Sequence, residues 1–180
     1  LSGTPSGPIT FTLPTTAQTS GGTFYGRQAA NALGSIGFAL AGTGVGAFEG
    51  RTTTDVAAFL RISEDATFEY DVFDSSKLYP LTGTYGLVGF VGAYEGGDKL
   101  QTSYSVPREP GTYAVPLQLV TSIEGQFELT WPTWKNVPEA WSFTLRDLET
   151  GTEVDLRTAT SYTFDAGITP GITPADEQEG

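Results

Sequence analysis

The side chains of this sequence that are best suited to chemistry are carboxylates, and they form two clusters. One contains Glu64, Asp65, Glu69, Asp71 and Asp74, and the other contains Asp147, Glu149, Glu153 and Asp155. Carboxylate oxygens suit calcium, which takes about six to eight oxygen ligands. Neither cluster has the Asp-x-Asp-x-Asp-Gly spacing of a calcium loop, and alternation places Glu69 and Asp71 on the solvent face of a predicted strand. We therefore expect solvated acidic faces, with a calcium site as the alternative.

Other catalytic groups are scarce. Two carboxylates could form a glycosidase pair, but no Asp or Glu lies in a conspicuous motif. The chain contains no Cys and no His, which excludes thiolate chemistry, a Ser–His pair and a Cys-type zinc site. The Gly-rich run at residues 42–50 is not followed by a predicted helix, as a dinucleotide-binding fold requires. We predict a protein that is not an enzyme, with no catalytic residues, no metal ligands and no cofactor.

Aromatic residues offer a different chemistry, because aromatic rings can stack on the C–H faces of sugars. Trp131 and Trp141 belong to segments with alternating apolar residues, so we assign them to the core. Trp134 lies in the polar segment 132–138, PTWKNVP, which we interpret as a loop. If the chain binds a polysaccharide, the predicted ligand-binding residues are Trp134, Lys135 and Asn136.

The net charge of the chain limits the kinds of binding partner that it can have. Lys and Arg number 9 and Asp and Glu number 21, which gives a net charge of −12. Such a surface repels phosphate backbones and anionic membranes, so we expect no nucleic-acid partner. The uncharged stretch of residues 29–48 is interrupted by glycines. We therefore expect no membrane insertion.

Apolar residues alternate with polar ones along much of the chain, which predicts half-buried strands. The strongest strand signals lie within residues 113–164, where Thr150-Gly151 marks a turn. Residues 9–13, 36–40, 55–63 and 66–73 are further predicted strands. The predicted fold class is all-β, an antiparallel two-sheet β-sandwich that is jelly-roll-like. The predicted core contains Phe68, Tyr70, Leu117, Leu119, Phe127, Leu129, Trp131, Trp141, Phe143, Leu145, Tyr162 and Phe164.

Composition suggests a simple domain organisation. Residues 1–8 have the Gly, Ser and Pro content of a linker end, and residues 9–165 are predicted to form a single β-sandwich domain. Residues 166–180 are rich in Gly, Pro and Thr and end in acidic residues, which is typical of a linker.

Six segments carry a family resemblance. They are FEYDVFDSSKL (68–78), PLTGTY (80–85), VPLQLV (115–120), EGQFELTW (124–131), LRDLETGTEVDLR (145–157) and SYTF (161–164). In this order they resemble the non-catalytic β-sandwich that precedes the C-terminal sorting domain in cargo proteins of the type IX secretion system of Bacteroidetes and relatives. The most specific part is L-x-D-x-x-TG-x-x-x-DLR followed by Y-x-F, and the resemblance covers residues 54–164.

The resemblance implies an accessory or structural module of a secreted, multi-domain cell-surface protein, adjacent to a sorting signal. Its partners would be the neighbouring domains of the same polypeptide. A carbohydrate-binding module that uses Trp134 is the first alternative, and a calcium-dependent adhesin-type domain is the second.

Overall fold

The computed structural model describes the backbone of residues 6–12, 33–81, 83–94, 97–109 and 111–169. These residues form strands and one 3₁₀ helix at Gly46–Phe48, which confirms the all-β class. None of the described helices is long and apolar enough to cross a membrane. The strands are β1 (Ser6–Thr12), β2 (Gly34–Gly44), β3 (Thr52–Ser63), β4 (Ser75–Ser76), β5 (Gly86–Tyr94), β6 (Gly97–Pro107), β7 (Thr112–Thr121), β8 (Gly125–Lys135), β9 (Ser142–Arg146), β10 (Glu153–Asp155) and β11 (Ser161–Ala166).

The strands are hydrogen-bonded in one continuous sheet in the order β10-β9-β1-β7-β5-β6-β3-β2-β8-β11, and β4 pairs with β6. The predicted division into two facing sheets is therefore not confirmed. The prediction of a purely antiparallel arrangement is wrong for one pair, because β3 and β6 run parallel. Alternation in the sequence indicates which face of a strand is buried, but it does not identify the neighbouring strand.

The sheet is curved like a barrel, and one core lies on its inner face. That core receives Phe38 from β2, Phe90 from β5, Leu117 from β7, Phe127 from β8 and Phe143 from β9. These strands span most of the sheet, so the sheet must bend round to bring their side chains together. The rings of Phe38 and Phe90 meet edge to face with their centroids 5.8 Å apart.

Two β-bulges lie beside β2, one on each side. Residues Trp131–Pro132 of β8 share one partner position on β2, and so do residues Val56–Ala57 of β3. A bulge bends its strand and increases the local twist, which favours a curved sheet. It also accommodates Pro132, which has no N–H to give to a ladder. The bulge in β3 explains why Val56 is 74% exposed although alternation predicts burial.

The predicted core is confirmed in its central part and wrong at one segment. Residues 66–73 form loop and turn rather than a strand, and Phe68 and Tyr70 are 48% and 39% exposed. The side chains of Asp71 and Asp74 bond to backbone groups of this segment and compete with a strand ladder. Tyr162 and Phe164 are half-buried at the edge of the core. The buried members are Leu117, Leu119, Phe127, Leu129, Trp131, Trp141, Phe143 and Leu145.

The ends of the described structure extend slightly past the predicted limits of the domain. Strand β1 begins at Ser6, three residues before the predicted first strand, and pairs with β7 and β9. Beyond β11, the amide of Thr169 donates to the carbonyl of Thr121, and the amide of Thr121 donates to the hydroxyl of Thr169. Residues 1–5 and 170–180 of the two predicted linkers lie outside the described residues.

Candidate functional site

The first acidic cluster attaches residues 64–74 to β6. The Asp71 carboxylate accepts hydrogen bonds from the amides of Thr67 (2.9 Å) and Phe73 (2.8 Å) and from the hydroxyl of Ser105 (3.1 Å). The Asp74 carboxylate accepts from the amides of Asp71 (3.0 Å) and Ser105 (2.6 Å). These two carboxylates therefore satisfy backbone donors, and both residues are half-buried, whereas alternation predicted a solvent-facing strand position for Asp71.

Burial raises the pKa of Asp74 above its ordinary value, and the nearby carboxylate of Asp71 adds to the rise. The hydrogen bonds from backbone amides oppose this shift but do not cancel it. Glu64, Asp65 and Glu69 are exposed. Among the described residues, no group of three or more acidic, His or Cys side chains is arranged to hold a metal ion.

The second acidic cluster shapes the hairpin between β9 and β10. The Asp147 carboxylate accepts hydrogen bonds from the amides of Glu149 (2.8 Å) and Thr150 (3.2 Å). Gly151 has a positive φ of 74°, which a residue without Cβ adopts readily. Its amide donates to the Asp147 carbonyl at 2.9 Å. The predicted turn at Thr150-Gly151 is confirmed.

Asp147 also connects the two ends of the sheet. The hydroxyl of Tyr162, on edge strand β11, donates to its carboxylate at 2.6 Å. We call this contact between Asp147 and Tyr162 the seam. Partial burial raises the pKa of Asp147, but the hydrogen bonds from Tyr162, Glu149 and Thr150 outweigh it and lower that pKa. Burial and the bond to Asp147 raise the pKa of Tyr162. Both seam residues line an apolar cavity of about 50 Å³.

A buried ion pair was not predicted from the sequence. Lys77 and Asp55 are 8% and 9% exposed, and the Lys77 ammonium contacts the Asp55 carboxylate at 2.5 Å. The same ammonium donates to the Ala57 carbonyl. Asp55 also accepts from the amides of Ala57 (3.1 Å) and Val88 (2.9 Å). The available signal was the position of Asp55 in an alternating strand, but nothing in the sequence identified Lys77 as its partner.

Trp134 belongs to β8, where the sequence predicted a loop. After the bulge at Trp131–Pro132, β8 continues to pair with β2, and Trp134 lies opposite the core residue Ile36. The indole is half-buried, and its N–H donates to the Trp131 carbonyl at 3.1 Å. It meets the ring of Phe143 edge to face at 5.4 Å. Trp134 thus packs against the core and keeps only part of its surface exposed.

Arg157 covers part of the same tryptophan. Its guanidinium carbon lies 5.0 Å from the centroid of the Trp134 ring, within the range of a cation–π interaction. The guanidinium also donates to the carbonyls of Trp141 (2.7 Å) and Pro138 (2.6 Å). Arg157 therefore holds the loop between β8 and β9 against the indole.

Lys135 and Asn136, the other predicted ligand-binding residues, are exposed at the end of β8. Asn136 has a positive φ of 48°, which Asn tolerates better than most residues. Its carbonyl accepts a hydrogen bond from Arg108 at 2.9 Å, and its side-chain amide donates to the Leu33 carbonyl at 3.4 Å. The positive φ and these two hydrogen bonds are explained by a structural role for Asn136 in the turn after β8.

A groove of about 570 Å³ opens beside Trp134 where β11 separates from β8. Ser161 and Thr130 form the last paired positions of these strands, and the preceding residues of the connection leave β8. Trp134 lines this groove, whereas Lys135 and Asn136 do not. The lining residues are Glu128, Thr130, Trp131, Pro132, Trp134, Leu156, Arg157, Ala159, Thr160 and Ser161. Only one of the three predicted ligand-binding residues therefore contributes to it.

Comparison of the chain with protein-family models, with curated proteins and with solved structures found no match.

Proposed function

We propose that this chain is a non-catalytic accessory module of a secreted multi-domain cell-surface protein. One observation supports a structural role: five aspartates accept hydrogen bonds from backbone amides of loops and bulges. They are Asp55, Asp71, Asp74, Asp147 and Asp155. Such bonds are charge-assisted and fix local backbone geometry. The acidic chemistry that stood out in the sequence thus serves the fold.

Secretion through the type IX system, next to a sorting signal, rests on the resemblance of residues 54–164 to accessory domains of that cargo. Its most specific segment, residues 145–157, contains the turn that Asp147 shapes. The partners in this proposal are neighbouring domains of the same polypeptide, and the module acts as a folded spacer between them.

The proposal that the module is non-catalytic can be tested on the purified chain. We expect one cooperative unfolding transition without added ligand and no hydrolysis of glycoside, ester, peptide or phosphoester substrates. Hydrolysis that disappears in Asp71→Asn or Asp147→Asn would contradict a non-catalytic role. We also expect equal melting temperatures in calcium and in chelator, because an ion that binds the native state must raise the melting temperature.

The spacer role requires a secretion experiment. The chain is placed between a reporter enzyme and a type IX sorting domain in a bacterium that has this system. We expect more intact extracellular reporter than from a matched fusion that carries the Trp141→Ala variant, because that variant removes a buried side chain. Equal amounts of intact reporter from the two fusions, or from a fusion that lacks the chain, would overturn the spacer role.

A further inference from the structure

The groove beside Trp134 combines an aromatic surface with polar groups. The half-buried indole of Trp134, which Arg157 covers in part, and the apolar ring of Pro132 both line it. Glu128, Thr160 and Ser161 add a carboxylate and two hydroxyls. Its volume of about 570 Å³ falls within the range of small-molecule sites, roughly 300–1,000 Å³.

Several of these polar groups are available to a ligand. Among the described residues, none forms a hydrogen bond with the Glu128 carboxylate or with the hydroxyls of Thr160 and Ser161. Arg157 uses Nε and Nη2 for the carbonyls of Trp141 and Pro138. Among the described residues, none accepts a hydrogen bond from Nη1 of Arg157, so this atom is a further donor on a residue that lines the groove.

We propose that this groove binds a neutral oligosaccharide. A sugar ring offers C–H faces to an aromatic side chain and hydroxyls to mixed donors and acceptors. Glu128 accepts from sugar hydroxyls, Arg157 donates to them, and the hydroxyls of Thr160 and Ser161 can do either. The site goes beyond the accessory role, which does not depend on it.

The charge of the chain selects neutral over acidic sugars. The net charge is −12, and Glu128 places a carboxylate in the groove itself. A uronic or sulfated chain would bring like charge to this surface, and its approach would be disfavoured at low ionic strength. Among the described residues, Arg157 is the single cationic residue that lines the groove, and it already contacts two backbone carbonyls.

Affinity electrophoresis tests the proposal with defined probes: β-glucan, xyloglucan and galactomannan as neutral polysaccharides, and alginate and polygalacturonate as acidic ones. We expect at least one neutral polysaccharide to retard the chain and neither acidic one to do so. Glu128→Gln or Ser161→Ala should weaken that binding about tenfold, as expected for a lost hydrogen bond to a charged or well-placed polar group.

The matched control is Asp165→Asn, which removes one negative charge from an exposed position of β11 outside the groove. It should leave the affinity unchanged. All three variants should melt at the temperature of the unmodified chain, so that a loss of binding cannot be ascribed to unfolding. The proposal is overturned if no neutral polysaccharide retards the chain, if only acidic ones do, or if neither groove variant weakens binding relative to the control.

Discussion

Residues 64–74 and residues 145–157 are both shaped by aspartates that accept hydrogen bonds from backbone amides, but they occupy different parts of the molecule. The first segment packs against β6 and carries Asp71 and Asp74. The second is the hairpin of β9 and β10, where Asp147 meets the edge strand β11 at the seam. Burial raises the pKa of Asp74, whereas hydrogen bonds lower the pKa of Asp147 against partial burial.

The comparison of these two segments shows that an alternating sequence pattern does not always form a strand. In residues 64–74, Phe68, Tyr70 and Val72 alternate with polar residues, yet all three are exposed. In the described structure residues 66–73 belong to no strand, and short polar side chains offer the backbone another way to satisfy its hydrogen bonds. In residues 145–157 the same side-chain chemistry coincides with a required chain reversal, so pattern and structure agree.

The largest expected effect compares two aromatic residues that the sequence assigned to the core. Trp141 is 6% exposed and Phe68 is 48% exposed. Trp141→Ala should lower the free energy of unfolding by about 3–5 kcal/mol, because it leaves a cavity. Phe68→Ala should cost about 1 kcal/mol, because it removes a half-exposed ring whose centroid lies 4.8 Å from that of Tyr113. Urea unfolding measures both, and similar losses for the two variants would contradict the distinction between these regions.

The second expected effect concerns the buried ion pair between Lys77 and Asp55, because Lys77 lies shortly after residues 64–74. Lys77→Met leaves Asp55 as an unpaired buried charge, which should cost about 3 kcal/mol. The matched control is Lys135→Met, which removes the same charge from an exposed position and should change stability by less than about 0.5 kcal/mol. Equal urea midpoints for the two variants would show that the buried ion pair does not contribute to the free energy of unfolding.

A smaller effect is expected at the seam. Tyr162→Phe removes the hydroxyl that donates to Asp147, and a hydrogen bond to a charged group contributes about 1.5 kcal/mol. Tyr113→Phe is the control, because the Tyr113 hydroxyl donates to a neutral carbonyl, that of Glu109, at 3.2 Å. It should cost about 0.5 kcal/mol. A seam variant as stable as this control would mean that the edge strands are not joined by this contact.

The smallest expected effects are the contributions of Asp147 and Asp74 to stability, which should depend on pH in opposite directions. The folded pKa of Asp147 is lowered, so its contribution to stability is present above the unfolded pKa, near 3.8, and is lost as pH falls through the folded value. The folded pKa of Asp74 is raised, so its contribution is largest at low pH and declines as pH rises from about 3.8 through the folded value.

Urea unfolding between pH 3 and pH 7 separates the two aspartates. The stability difference between the unmodified chain and Asp147→Asn should grow with pH. The corresponding difference for Asp74→Asn should shrink with pH. If both differences change in the same direction, the two aspartates do not have the opposite environments that distinguish these regions.

Part of the candidate site could be predicted from the sequence. Trp134 was singled out as the aromatic residue outside the central core, and it lines the groove. Lys135 and Asn136 follow it in sequence, but the end of β8 carries them away from the groove. Glu128 and Ser161 were not predicted, because they meet only where β8 and β11 pair and then separate. Local sequence carries no signal for that divergence.

The all-β class, the buried faces of β7, β8 and β9, and the turn at Thr150-Gly151 could all be predicted from the sequence. These features depend on alternation and turn chemistry, which act between residues close along the chain. Three features could be recognised only in the folded molecule: the single curved sheet, the parallel pairing of β3 with β6 and the pairing of Lys77 with Asp55. These depend on which distant strands become neighbours, and an alternating pattern fits many neighbours equally well.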